Sequence, residues 1–285
     1  MARASRQPAV DAFRCAWTTY LDDIERHWSG AITGHDAEEL HDLRIALRRT
    51  RALLRYGKGV VRDEDRRRFD RQFRRLTAVT TVARDLDVAV EVVTAAAAAD
   101  ADLVPVLEDV QRRQAAAHGR VADTLRAADS AALIASWRAW LEEAPAPTRD
   151  STVAIRPLVR RRLRRARRRL ERGAPARRPD ARHEWRKEAK NLRYLVEAFA
   201  YLFDRRAVTR LRRDLVRAQD DLGRSRDAMI QVALIGSITD AAALPEASRA
   251  AAQALARRID ADGRAGRDPR RHVARRLKTR VRRLG

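Results

Sequence analysis

Two segments of the chain carry the same ordered set of ionisable residues. The first reads His41-Asp42-Leu43-Arg44-Ile45-Ala46-Leu47-Arg48-Arg49-Thr50-Arg51 and the second His183-Glu184-Trp185-Arg186-Lys187-Glu188-Ala189-Lys190-Asn191-Leu192-Arg193. In each, His is followed by an acid, a large apolar residue, Arg three positions on, a base seven on and Arg ten on. At about 100° per residue, with His41 at zero, Arg44, Arg48, Arg51 and Arg55 fall at roughly 300°, 340°, 280° and 320°. Leu43, Leu47, Thr50, Leu53 and Leu54 fall between about 120° and 240°. One face of such a helix is apolar, and the arc beside it is a cationic stripe on the order of 20 Å long. The second copy puts His183, Arg186, Lys190 and Arg193 on the matching arc, with Glu197 where Arg55 stood. A solvated face favours opposite charges at i,i+4. These stripes set cation beside cation, a repulsion that an anion would relieve. The chemistry they support is oxyanion binding, in which guanidinium forks grip phosphate oxygens and the imidazoles of His41 and His183 add donors.

A weaker repeat follows each copy. Arg84-Asp85-Leu86-Asp87 lies opposite Arg224-Ser225-Arg226-Asp227, 43 and 41 residues past the respective His. Arg84 and Arg224 are additional phosphate-donor candidates, and Asp87 and Asp227 are read as orienting neighbouring Arg side chains, with an ordinary surface ion pair as the competing reading. His27, His35, His118 and His272 have no counterpart in the repeat and are read as structural or surface residues.

The elements that must position these stripes are helices. Apolar residues recur at three- and four-residue spacing, and period-two alternation of β-branched residues is nearly absent. Turn residues delimit helices near 8–28 (ended by Ser29-Gly30 and Thr33-Gly34) and 36–56, and a third opening at Asp63-Glu64-Asp65. A fourth ends near Ala128 and a short helix bears Trp137 and Trp140. Ala144-Pro145-Ala146-Pro147 marks the boundary between halves 1–145 and 146–285. The second half repeats the plan with helices near 153–172, 179–203, 206–239, 246–261 and 270–284, and a hinge over 263–269. The expected fold class is all-α, with two four-helix-bundle-like halves.

Composition limits the function classes. The 285 residues include 62 Lys plus Arg against 39 Asp plus Glu, a net charge of +23. Residues 1–150 balance at 24 basic and 24 acidic side chains, so the excess falls entirely in the second half. Such an excess points to a polyanionic partner. Cys15 is the single cysteine, which excludes a disulfide scaffold and a Cys-based zinc site. The longest uncharged run, 228–239, is too short to span a bilayer as a helix. No leader-like segment opens the chain, and the expected setting is cytoplasmic, with no membrane partner. The sequence calls for no cofactor and no metal.

The paired His-acid-apolar-Arg helices, each followed by an Arg-x-x-Asp helix, resemble the CHAD domain (conserved histidine α-helical domain) over roughly 8–285. The resemblance implies two helical halves related by pseudo-twofold symmetry around a central basic groove. It also implies binding of inorganic polyphosphate and, in bacterial cells, association with polyphosphate granules. The groove residues that it implies are His41, Arg44, Arg48, Arg51, His183, Arg186, Lys190 and Arg193. Trp185 and Asn191 depart from the family's usual aliphatic and basic choices. A further basic run, Arg160-Arg161-Arg162-Leu163-Arg164-Arg165-Ala166-Arg167-Arg168-Arg169, cannot point all its cations one way; one flank could join the groove.

The expected mechanism is electrostatic capture of a linear phosphate chain, weakened by salt as counterion release requires. The first alternative is a basic helical protein that binds nucleic acid. Against it, the cationic arc carries at most Tyr194 as a base-stacking ring, and no helix-turn-helix or zinc signature occurs. The second is a phosphoanhydride hydrolase. His41-Asp42 resembles half of a metal-dependent motif and Asp220-Asp221 offer carboxylates, but no second ligand set and no Glu-x-Glu-x-Lys signature accompany them. The protein is therefore read as a binding module with no catalytic residues.

Overall fold

The computed structural model describes residues 6–34, 37–143, 148–174, 179–241, 244–264 and 270–284. Its helices are α1 (Ala9–Thr33), α2 (Ala37–Tyr56), α3 (Asp63–Ala97), α4 (Val104–Arg126) and α5 (Ala128–Glu142) in the first half. The second half has α6 (Ile155–Gly173), α7 (Pro179–Ala198), α8 (Arg205–Ala241), α9 (Glu246–Arg264) and α10 (Arg270–Arg283). The fold is all-α. The expected boundary at 144–147, His35 and most of the expected hinge lie outside the described residues.

Local chemistry explains several helix ends. Three acids, Asp63, Glu64 and Asp65, occupy the first turn of α3, where they complement the positive end of the helix dipole. The Asp204 carboxylate accepts from Ala207 N at 2.8 Å and caps α8. Gly34 ends α1 with φ of 67°, a left-handed residue that suits glycine. Two expected boundaries move. Helix α1 runs through Ser29-Gly30, because Gly30 is a contact and not a stop: a Cβ there would lie 2.5 Å from Glu39 Cγ of α2. Helix α7 ends at Ala198, before a 3-10 turn at Ala200–Leu202, where Phe199 turns its ring onto Phe13 at 5.0 Å.

In the first half, α1, α2, α3 and α4 pack each on the next, and α4 returns to α1, with α5 laid across α1, α3 and α4. In the second half α6, α7 and α8 follow the same order, but α10 packs between α6 and α8. Helix α9 lies along α8 and reaches over to α4 and the turn at Ala101–Leu103. The halves share one apolar core running from Ala9 to Leu284. Before α6 the chain is stitched to the start of α1, with Ile155 N donating to Gln7 O and Ala9 N to Val153 O, both at 2.9 Å. The predicted dry stripe of α2 is dry: Leu43, Leu47, Thr50, Leu53 and Leu54 are all at 0% exposure.

Trp137 anchors the first half. Fully buried, it stacks on Trp140 at 4.9 Å and meets Phe69 at 4.6 Å edge-on, with Phe73 and Trp17 beyond. Trp137→Ala is expected to lower stability by about 3–5 kcal/mol, read from the shift of the urea unfolding midpoint.

Candidate functional site

Helices α2 and α7 pack against each other, and their ion pairs give the sense of the crossing. Arg55 at the end of α2 reaches Glu188 in the middle of α7 at 2.7 Å, whereas Arg49 faces Glu197 near the end of α7 at 3.9 Å. The two helices therefore run antiparallel, and the striped segments of α2 and α7 pass each other head to tail. His41 and His183 consequently stand toward opposite ends of the crossing.

At the crossing sit Arg44 and Arg48 from α2 with Arg186 and Lys190 from α7. Arg48 and Lys190 have no carboxylate within ion-pair distance among the described residues, and Arg44 reaches only the Thr81 hydroxyl at 3.4 Å. Arg186 lies 3.7 Å from Asp227 of α8. It crosses α8 at Gly223, where a Cβ would come within 3.2 Å of its guanidinium. The Nε atoms of Arg44 and Arg186 are buried without an acceptor. Burial, then Arg48, pulls the Arg44 pKa down to about 10. Burial, then Arg48, Arg186 and Arg44, pulls the Lys190 amine down to about 6. The neighbouring Asp85 of α3 shifts upward, chiefly by burial. Dehydrated like charges of this kind are costly without a counter-ion.

From this cluster a cleft of about 640 Å³ opens along α2, α3 and α7. Arg48, Arg51 and Arg55 form one side, Arg66 and Arg74 of α3 the rim, and Lys187, Lys190 and Asn191 the other side. Tyr194 lies in its wall but is only 4% exposed, and the Arg193 guanidinium covers its ring at 4.9 Å. The wall is built more from the first half than from the second. The cations are partly compensated on the spot: Asp70 lies in the same wall and holds Arg51 at 3.1 Å and Arg74 at 2.9 Å, and Asp63 holds Arg66 at 3.0 Å.

Several expected donors already have partners. Arg51 is held by Asp70 at 3.1 Å and Arg55 by Glu188. Arg193 shares Glu197 with Arg49 and Arg212. These carboxylates come from other helices or from the stripe's own last turn, so part of the expected repulsion is neutralised. Arg84 pairs with Glu91 at 3.6 Å and lies near enough to Arg44 to affect its charge. Arg224 is exposed and bonds Asp221 of its own helix at 2.5 Å. Arg226 is the residue that reaches the stripe, donating to His183 Nδ1 at 3.1 Å. Residues two apart on a helix differ by about 200°, so only one of this pair can face α7. Because arginine only donates, His183 accepts at Nδ1 and carries its proton on Nε2. Burial, then Arg226, lowers the His183 pKa, which keeps the ring neutral. Asp87 does not orient an arginine; it accepts from Gln114 at 2.9 Å and pairs with His118 at 2.7 Å, tying α3 to α4. His27 likewise joins α1 to α2, through Glu39 at 2.8 Å.

The Arg160–Arg169 run divides by face. Arg162, Arg165 and Arg169 line a pocket beside Arg55, while Arg160, Arg164 and Arg167 face α10. Among the described residues, no group of three or more His, Cys, Asp or Glu is placed to hold a metal ion. No described helix is long and apolar enough to cross a membrane.

The family model of the CHAD domain matches residues 15–236, across both halves and all of the crossing. The chain belongs to the CHAD domain family. The crystal structure of the CHAD domain from the plant Ricinus communis superposes with a TM-score of 0.80 at 20% identity, covering 99% of this chain and 94% of that one. PptA from Streptomyces chartreusis gives a TM-score of 0.73 at 17% identity, over 96% and 100% of the two chains. At these identities the likeness is one of fold. No curated protein matches the chain in sequence.

Lys190 gives a stability prediction with a definite sign. Its amine holds a proton up to about pH 10.5 when unfolded but only to about pH 6 when folded. Between those values the unfolded chain binds more protons, so this residue makes stability rise with pH. Lys190→Met is expected to raise the melting temperature by at least about 2 °C near pH 6, a gain that fades as pH approaches 10.5. Thermal unfolding across that pH range measures it.

Proposed function

We propose that this CHAD domain binds inorganic polyphosphate along the groove where α2 and α7 cross, as a binding module and not as a hydrolase. The observation that carries the reading is the group Arg44, Arg48, Arg186 and Lys190, half-buried and short of counter-ions in a fold that holds them together. A flexible chain of phosphates can neutralise all four at once, and the cleft toward Arg66 and Arg74 gives it further cations. Arg226 and the Nε2 proton of His183 add donors at one end, and His41 stands toward the other. Association with polyphosphate granules in a bacterial cytoplasm belongs to the same proposal.

Nucleic acid is the competing polyanion. A duplex is a wide rod, whereas the groove's most cationic point is half-buried, and Tyr194 is too covered to stack on a base. Competition between long-chain polyphosphate and duplex DNA at equal phosphate concentration distinguishes them; displacement of bound polyphosphate by DNA would overturn the proposal.

Replacing Arg44, Arg48, Arg186 and Lys190 together by Ala is expected to weaken polyphosphate binding at least about 100-fold, with helicity retained. The slope of log affinity against log salt should become shallower by about 3. Binding by the natural chain near pH 8 is expected to take up close to one proton, as Lys190 regains its charge beside phosphate; its amine titrates near 6 in the unliganded protein. Calorimetry in two buffers of different ionisation enthalpy reads this directly. No proton uptake would remove Lys190 from the site.

A further inference from the structure

Beyond the groove, where α2 ends and α6 begins, lies a second basic pocket of about 340 Å³. Arg55 lines both the cleft and this pocket, so the two adjoin. The other cations come from three places in the chain: Lys58 after α2, Arg149 before α6, and Arg162, Arg165 and Arg169 on one face of α6. No carboxylate lines it. Two carboxylates beside it are committed, Glu188 to Arg55 at 2.7 Å and Arg169 at 2.8 Å, and Asp150 to Arg161 at 3.0 Å, Arg162 at 3.2 Å and Arg149 at 3.7 Å. Lys58 and Arg165 have no carboxylate within ion-pair distance among the described residues.

The pocket is built rather than incidental. Gly59, at φ of 79°, turns the chain back beneath it. Its carbonyl accepts from Asp150 N at 2.7 Å and from the Thr148 hydroxyl at 2.6 Å. Arg162 donates to the Lys58 carbonyl. An independent observation points to a ligand: Tyr56 lies in the wall, 4% exposed, and its hydroxyl is buried without a partner. Burial drives its pKa upward, so the hydroxyl keeps its proton and remains a donor in need of an acceptor.

We propose that this pocket holds the terminal two or three phosphates of a phosphoanhydride chain, with the Tyr56 hydroxyl and the cations around it as donors. The inference deepens the polyphosphate reading and rests on it. Terminal phosphates keep a second ionisable oxygen and so carry more charge than internal ones, which suits a dense cation cluster at one end of a groove. The same chemistry is offered by the end of a chain lying in the cleft and by free short phosphoanhydrides.

Inorganic triphosphate is the probe, measured by calorimetry on the full chain. Lys58→Ser with Arg165→Ser leaves no buried carboxylate unpaired, and is expected to weaken triphosphate binding at least about tenfold. Tyr56→Phe removes one orphan hydroxyl and should weaken it about threefold or more without lowering the melting temperature. The groove variant lacking Arg44, Arg48, Arg186 and Lys190 should keep triphosphate affinity within about twofold while losing the long chain. Unchanged triphosphate binding in both pocket variants would overturn the pocket. So would its loss in the groove variant. Long chains failing to bind the natural protein would overturn the groove reading instead and leave the triphosphate result to judge the pocket. Capping both ends of long polyphosphate as phosphoramidates separates the sources. If the pocket takes a chain end, capping weakens binding to the natural protein but not to the Lys58/Arg165 variant. If capping changes nothing while triphosphate still binds there, its occupant is a free short phosphoanhydride.

Discussion

Mutual repulsion among cations held in a half-dry helix crossing is the constraint on which the structure depends. Arg44, Arg48 and Arg186, joined by Lys190 whenever its amine is protonated, would separate if their helices were free to do so, since dehydrated like charges repel far more strongly than charges in water. Helices α2 and α7 are not free. Each buries an apolar face, α2 against α1 and α3, α7 against α6 and α8. The apolar core common to both halves supplies the force that keeps the charged faces together. Ion pairs on either side of the crossing, Arg55 with Glu188 and Arg49 with Glu197, fix its register without relieving its centre.

This arrangement separates stabilising residues from binding residues on the same helix turn. The leucines of α2 fall on one arc and its arginines on the next. Lys190 shows the tension most clearly, a side chain whose burial favours the neutral amine while the ligand would favour the ammonium. Such trade-offs are usual where a site is built at the expense of local stability.

The helical class, the order of helices and the two stripes were legible in the sequence, because each depends on spacing within a single helix. What the sequence hid depends on contacts between helices. The partners of Arg51 and Arg55 lie 19 and 133 residues away, so no local pattern could show that these cations are already held. Gly30 looked like a helix stop because glycine usually marks one; its use is to let Glu39 approach. The weaker repeat points to Arg224, because it aligns with Arg84 by residue type. That Arg226 is the one to reach His183 depends on how α8 is set against α7, which no spacing within α8 reveals. The pocket at Tyr56 was invisible because Lys58, Arg149 and Arg165 are far apart in the chain and meet only through the turn at Gly59.

The antiparallel passage of α2 and α7 has a consequence for molecular polarity. Each stripe presents its first residues, the histidine among them, at the opposite end of the crossing from the other. Nucleic acids and peptides have a chemical direction and would have to ignore this ambiguity. A linear phosphoanhydride is identical read forwards or backwards, so under the proposed function both senses of threading would be productive and no encounter would be lost to a reversed orientation.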